Sequence, residues 1–527
     1  MTIKSIYPDI EIPDVSVYDF IFGSLTDEES ARVAVVDGPS GASLTYAALR
    51  QQVDAFAGAL AARGIGVGDV VALQAPNSPA FVTAFHGILR AGATATTVNA
   101  LYTPEEIANQ LTDSGAKLII TVSPLLPAVA AGAAAAGFEP DQIIVMDGAE
   151  GYASAADLLS SGHPAPDISF SPATHLAVLP YSSGTTGKPK GVMLTHRNLV
   201  ANVAQSWPLV VVSAEDTVLA VLPFFHIYGM TVLLNLSLKA RARVVTQPRF
   251  DLPEFLRLIQ DEKCTYVFIA PPIAVALTKH PLVDQYDLSS LEVILSGAAA
   301  LDEALGRALE SRLGVRVLQG YGMTEMSPIS HVIPRAREDI SVGSIGLAVP
   351  NVETRIVDTI TGDEVDLPDA GLSEPGELLV KGPNVMVGYL NNMEATETTL
   401  EADGFLHTGD VARIGSDGAV WIVDRLKELI KYKGYQVAPA ELEALLLTHP
   451  SIADVAVIGY PDEDAGEVPK AFVVAQPDVE LTAPEVMAFV AEHLAPHKKV
   501  RVVEFVDSIP KSTSGKILRN ELRARAS

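Results

Sequence analysis

From about residue 47 to residue 320, short apolar runs alternate with amphipathic stretches. The runs DVVALQA, KLIITV, QIIVM, HLAVLP, TVLAVLP, TYVFIA and EVILS are rich in β-branched residues and too short for helices, so they predict buried strands. AALRQQVDAFAGALAAR carries its apolar residues at helical spacing. Helices between continuous β-branched runs imply parallel sheets covered on both faces. Near residue 343 the pattern changes. ETRIVD, GELLVKG and VARIGSDGAVWIVD alternate polar and apolar positions, with Gly and Asp at the turns, which predicts a smaller antiparallel sheet or barrel. After Asp424, AELEALLLTHP and PEVMAFVAEHL read as helices, ADVAVIGYP and KAFVVAQP as strands. The expected fold class is α/β with α+β. A large N-terminal domain, residues 1–424, holds doubly wound αβ layers to about 342 and a small β-barrel at about 343–424. An α+β domain follows at 425–527, and the charged segment DRLKELIKYKG is the joint.

Composition narrows the function. The 527 residues are 48% hydrophobic and 19% charged, as expected of a globular chain. Lys plus Arg number 37 against 64 Asp plus Glu, a net charge of -27. That balance excludes a broad basic face for nucleic acid or anionic membrane. LLPAVAAGAAAAGF, at 125–138, is too short and too rich in Ala and Gly to span a bilayer and is expected to be an ordinary helix. The N-terminus lacks a signal-peptide core, the end RARAS is no peroxisomal address, and the single cysteine, Cys264, fits a reducing compartment. A cytoplasmic protein, monomer or homodimer, is expected, with Cys264 as a buried strand residue.

Residues 181–196, YSSGTTGKPKGVMLTH, crowd three glycines, five hydroxyl side chains (Ser and Thr) and two lysines behind the apolar run HLAVLP. Glycine amides approach phosphate closely, hydroxyls donate and lysines supply charge. A Walker A loop fails here, because Ser182 stands where its first glycine belongs and Pro189 follows Lys188. Proline also pushes Lys188 away from helical geometry. A cluster of this kind alone also describes an ordinary turn.

The full string resembles the signature loop of the adenylate-forming superfamily of acyl-CoA synthetases, luciferases and peptide-synthetase adenylation domains. GYGMTE at 320–325 is similar to its adenine and magnesium segment, HTGD at 407–410 to its ribose turn, DRLKELIKYKGYQVAPAELE at 424–443 to its hinge, and PKSTSGKILR at 510–519 to its catalytic-lysine segment. The five stand in family order. PFFHIYGM, GYGMTEMSP and KYKGYQVAP look most like the 4-coumarate–CoA ligase and luciferase branch.

The resemblance implies ATP, Mg²⁺ and coenzyme A as co-substrates and a C-terminal domain that rotates between two half-reactions about a hinge at Lys427. It places Ser182, Ser183, Gly184, Thr185, Thr186, Gly187 and Lys190 on the phosphates, and Gln319, Gly320 and Tyr321 at adenine. Thr324 falls on the α-phosphate, Glu325 on the metal, Asp410 and Arg425 at the ribose, and Ile422 among the ATP/AMP-binding residues. Lys516 is the lysine that bridges the substrate carboxylate and the α-phosphate. His226 is the gate beside the acyl carboxylate, Lys431 and Gln436 are further catalytic positions, and Lys433 and Gly434 meet CoA. Tyr228, Gly229, Ser296, Gly297, Ala298, Gly322, Met323, Pro328 and Ile329 line the acyl pocket. Read without the resemblance, His226 is equally a core histidine, Glu325 a solvated loop carboxylate and Lys516 surface decoration.

Local charge agrees: Arg425, Lys427, Lys431 and Lys433 face only Glu428, and residues 495–520 carry six basic against two acidic side chains. The expected activity is an acid–CoA ligase that makes an acyl-adenylate and then a thioester, releasing AMP and pyrophosphate. The alternatives are an acyl-AMP ligase loading a carrier protein and luciferase-like oxygenation. A peptide-synthetase domain is disfavoured because residues 222–230 hold no carboxylate for an ammonium group. A catalytically dead ATP sensor is disfavoured because Lys516, Lys431 and Asp410 are all present. Aromatic, hydroxycinnamate-like acids and medium-chain fatty acids remain level as substrates.

Overall fold

The computed structural model describes residues 2–182, 189–433, 435–462, 464–477, 479–511 and 517–526, with the side chains of Gln436 and Ala526 left aside. The first long helix is Tyr46–Ala62. Thr45 caps it by accepting from the Ala48 N–H, and Leu49, Val53, Phe56 and Leu60 face the core at helical spacing. Each of the seven apolar runs contains a strand: Val70–Leu73, Ala116–Thr121, Ile143–Val145, Leu176–Val178, Thr217–Ala220, Tyr266–Ile269 and Val293–Ser296.

These strands divide between two sheets whose central ladders are parallel. One sheet runs, in spatial order, through Leu176–Val178, Thr94–Thr97, Val70–Leu73, Ala116–Thr121 and Ile143–Val145. The other runs through Arg316–Gly322, Val293–Ser296, Tyr266–Ile269, Thr217–Ala220, Arg243–Thr246 and Val33–Asp37. Runs without polar alternation suit strands buried on both faces. The Ala-rich segment is the helix Leu126–Ala135, packed in an apolar cluster that includes Ile107, Leu111, Val129 and Ala133. Among the described residues no helix is long and apolar enough to cross a membrane.

The alternating region forms an antiparallel sheet in the order Ile3–Lys4, Glu353–Val357, Gly376–Lys381, Leu406–Ile414, Val420–Arg425. Of the sheet and barrel alternatives, the ladders draw an open sheet, since among the described residues none joins its two outer strands. The C-terminal region has its own sheet, centred on Ile452–Asp462 and Gly466–Ala475 and flanked by the helices Pro439–Leu447 and Ala483–His493. One apolar core draws residues from Val17 to Val420, and a separate one begins at Ile430. Cys264 corrects its expectation. It is fully buried, yet it lies in the turn after the helix Leu252–Glu262, two residues before the strand Tyr266–Ile269. A left-handed Lys263 ends that helix, and the turn, rather than a ladder, carries the thiol inward.

Candidate active site

Parallel strands present their C-terminal ends together, and ligand-binding loops follow there. The segment holding His226 follows Thr217–Ala220, the segment holding Gly297 and Ala298 follows Val293–Ser296, and GYGMTE ends Arg316–Gly322. Ser296 pairs in register with Gln319, so two candidate segments leave the sheet side by side.

The strands on either side of the glycine-rich stretch pair with one another. Tyr181–Ser182 pairs antiparallel with Lys190–Thr195, Ser182 opposite Lys190, unlike a strand-to-helix P-loop. Ser183, Gly184, Thr185, Thr186 and Gly187 lie outside the described residues. Beside this pairing, the Tyr181 hydroxyl donates to Asp113 at 2.6 Å. Across from it, the Ser182 hydroxyl donates to Glu325 Oε1 at 3.2 Å. That same oxygen accepts from the Tyr389 hydroxyl at 2.7 Å, and the Lys190 ammonium sits 4.2 Å from the Tyr389 ring centroid. Burial, reinforced by Glu325, pushes the Tyr389 phenol above its ordinary range, so it remains a donor. Tyr389 was missed from sequence. It stands opposite Val192 on a separate strand, and only that pairing brings it to the loop.

Glu325 is a buried carboxylate on a one-turn helix, Thr324–Met326, where GYGMTE turns back into the strand Ile329–Val332. Asn202 and Asn384 bind the backbone of that turn at Ile329 and Met326. Among the described residues no donor reaches Glu325 Oε2, so one hard oxygen is left for a cation. A single carboxylate completed by phosphate and water suits Mg²⁺. Thr324 stands beside it, half-buried.

In HTGD, most of the motif holds the turn. The Gly409 N–H donates to Glu377 Oε1 at 3.0 Å, His407 shares a hydrogen bond with Glu377 Oε2 at 3.1 Å, and the Thr408 hydroxyl donates to Leu378 O at 2.6 Å. Gly409 has a φ of +70°, which side chains rarely adopt. These anchors aim Asp410 inward. Its Oδ2 accepts from the Tyr321 hydroxyl at 2.6 Å, and Arg425 Nε lies 3.3 Å from its Oδ1, the two residues being register partners. Burial and then the Asp410 charge hold the Tyr321 phenol well above its usual range. Ile422 lies on the same strand as Arg425. Gln319 differs from a ligand-facing side chain: its Oε1 accepts from Leu301 N at 2.6 Å and its Nε2 donates to Val342 O and Ser344 O. With donor and acceptor committed to backbone, it braces Gly320 and Tyr321 rather than offering its amide.

His226 Nδ1 accepts from the Tyr228 N–H at 3.4 Å, which leaves Nε2 to carry the proton. Burial pushes this imidazole down to about 4. Tyr228 is buried, donates its hydroxyl to Leu295 O at 3.1 Å, and begins a π-helical stretch through Asn235. Its ring lies against Gly297, where an added Cβ would fall 2.9 Å from Cε1, so any larger residue would displace that ring. Gly229 and Gly322 are closed in by the carbonyls of Pro223 and Pro328. Ala298 takes a φ of +69°. The Met323 N–H donates to Pro328 O at 3.2 Å, and Ile329 is buried. The Ser296 hydroxyl is buried with no partner among the described residues.

In the C-terminal region, Lys427 is exposed in a turn, Lys431 is exposed on the strand Ile430–Tyr432, and Lys433 is exposed with a φ of +48°. Gly434, the Gln436 side chain and Lys516 lie outside the described residues. The local charge reading needs correction. Lys498 pairs with Glu441 and Lys511 with Asp454, each at 2.6 Å, while Arg519 binds Glu443 through two 2.7 Å contacts. The segment 495–520 looks basic in sequence because the acidic partners of these three side chains come from elsewhere. Sequence reasoning also missed Asp424, whose Oδ2 accepts from the Ala440 N–H at 2.8 Å and caps a helix that has no cap of its own.

The AMP-binding enzyme family profile matches residues 26–390, and the AMP-binding enzyme C-terminal domain profile matches 441–516. 4-Coumarate–CoA ligase 5 of Oryza sativa subsp. japonica is 42% identical over 536 residues, covering 99% of this chain and 97% of the relative. The crystal structure of ATP-bound MatB from Rhodopseudomonas palustris superposes with a TM-score of 0.89 at 30% identity, covering 97% of this chain and 99% of that one. Its apo form, with the same identity and coverage, gives 0.78.

Proposed function

The chain belongs to the AMP-binding enzyme family of adenylate-forming ligases, and from that premise we propose how its residues divide the work of an acid–CoA ligase. The enzyme is an AMP-forming acid–CoA ligase that uses ATP, Mg²⁺ and CoA. A carboxylate is a poor acylating agent because its leaving group would be oxide. Its oxygen attacks the α-phosphorus of ATP and pyrophosphate departs; the CoA thiol then attacks the acyl carbon and AMP departs. Positioning and electrostatics suffice, without a protein nucleophile.

We assign the ribose to Asp410 with Arg425, the adenine to Tyr321, the triphosphate to Ser182, Lys190 and the glycine-rich loop, and the metal to Glu325. Bound there, Mg²⁺ supplies positive charge against the phosphates. His226, neutral at pH 7, offers its Nε2–H to the acyl carboxylate, and Lys516 bridges that carboxylate and the α-phosphate. The domains divide at residues 424 and 425 with Lys427 as pivot. The change of core between Val420 and Ile430 supports this division, as does the exposure of Lys427. The higher TM-score with the ATP-bound neighbour than with its apo form supports an arrangement ready for the first half-reaction. Lys431, Lys433, Gly434 and Gln436 serve the second. The free, buried Cys264 supports a reducing, cytoplasmic setting.

For the acid we propose a hydroxycinnamate-type substrate. The observation that carries it is the Tyr228 hydroxyl, whose proton goes to Leu295 O, so that it offers a pocket only lone pairs and matches a phenolic O–H. The family relatives act as context for this choice. The test is AMP and pyrophosphate release with CoA and a panel of cinnamates and fatty acids. 4-Hydroxycinnamate should be preferred over cinnamate in the native enzyme. Tyr228→Phe should lose about 2- to 13-fold in kcat/KM for the former alone. A preference for alkanoic acids, or an equal loss for cinnamate, would overturn the assignment.

A further inference from the structure

We propose that Tyr389 is a positioning residue that holds Glu325 and Lys190 apart and ready, an inference that rests on the assignment of Glu325 to the metal and Lys190 to the phosphates. Tyr389 lies between opposite charges. Its hydroxyl donates to Glu325 Oε1 at 2.7 Å, and its ring face carries the Lys190 ammonium at 4.2 Å. It is fixed there by its own backbone. Tyr389 pairs with Val192, its N–H donates to Thr396 Oγ1 at 2.9 Å, and the next N–H donates to Gly191 O at 2.8 Å.

The arrangement has two consequences. Ser182 and Tyr389 both use Oε1, so the carboxylate cannot rotate freely and Oε2 keeps a set direction for a cation. A partner that orients a metal-binding side chain commonly accounts for about 10- to 100-fold in metal affinity. The ring also gives the Lys190 ammonium a neutral resting place, worth little against water but enough to compete with an ion pair. Were Tyr389 a small aliphatic residue, Lys190 and Glu325 could neutralise one another. The site would then meet neither cation nor phosphate without first breaking that pair.

Two variants separate these roles. Tyr389→Phe keeps the ring and removes the hydroxyl; Tyr389→Leu removes both. Calorimetric titration of the full-length enzyme with Mn²⁺–ATP, and with ATP in the presence of a chelator, reads binding without turnover. The native enzyme should bind Mn²⁺–ATP more tightly than metal-free ATP. Tyr389→Phe should weaken Mn²⁺–ATP about tenfold and leave metal-free ATP unchanged. Tyr389→Leu should weaken both, because Lys190 is drawn to Glu325, and adding Glu325→Gln to it should restore metal-free ATP binding. Equal weakening of both ligands in Tyr389→Phe would make Tyr389 a packing residue and overturn the proposal, as would unchanged Mn²⁺–ATP binding. A native enzyme indifferent to Mn²⁺ would instead refute the assignment of Glu325 itself.

Discussion

Asp410 allows a quantitative test because its surroundings limit what it can hold. A carboxylate has about four lone-pair sites. Tyr321 takes one on Oδ2 at 2.6 Å, and Arg425 approaches Oδ1 at 3.3 Å. Two sites remain, the number that a ribose 2′,3′-diol requires. Each hydroxyl donating to this buried carboxylate should contribute about 1.5–3 kcal/mol, or about 10- to 150-fold in affinity. Replacing ATP by its 2′-deoxy or 3′-deoxy analogue removes one such bond without touching the protein. Calorimetry on the native enzyme should therefore show a loss in that range for each analogue. Asp410→Ala should lose affinity for ATP and no longer distinguish ATP from either analogue, since the acceptor has gone. The cycle isolates the contact from any general damage by the substitution. If the deoxy penalties persist in Asp410→Ala, the ribose is held elsewhere and the assignment fails.

The two lysines of the C-terminal region should separate by half-reaction. With synthetic acyl-AMP supplied, Lys516→Ala should lose adenylate formation but keep thioester formation, Lys431→Ala should do the reverse, and Lys427→Pro should trap the first state; equal loss of both steps in the two Ala variants would refute the two-state assignment. His86 is buried edge-on against Phe22 and Phe85 with neither ring nitrogen partnered among the described residues, and burial pushes it down to about 3. Below pH 6.5 the unfolded chain takes a proton that the folded one refuses, so stability falls with pH by about 1.4 kcal/mol per unit from this group. Urea unfolding of His86→Phe should be correspondingly less steep between pH 6.5 and 4.5, and an unchanged slope would mean that His86 accepts its proton inside the fold. Cys264, fully buried and pushed up to about 12, should resist alkylation at pH 8 until the chain is unfolded; rapid native labelling would contradict its packing.

The elements of this protein were legible because they are local. Periodicity alone marks Tyr46–Ala62 as a helix and Thr217–Ala220 or Val293–Ser296 as buried strands, since side-chain direction repeats with the backbone. The candidate motifs were legible for the same reason: residues 181–196 and 320–325 keep their chemistry within a few positions. Tertiary structure decided which motifs meet and which residues are spent before any ligand arrives. Tyr321 reaches Asp410 across 89 positions, and Tyr389 reaches Glu325 across 64. Gln319, inside a motif, gives its amide to the backbone of Val342 and Ser344, while Lys498, Lys511 and Arg519 lose their apparent surplus of charge to Glu441, Asp454 and Glu443. The ladder register that sets Asp410 opposite Arg425 and Val192 opposite Tyr389 belongs to the whole sheet. A shift of one residue would turn each of these side chains to the other face, and no local window of sequence contains the packing that forbids it.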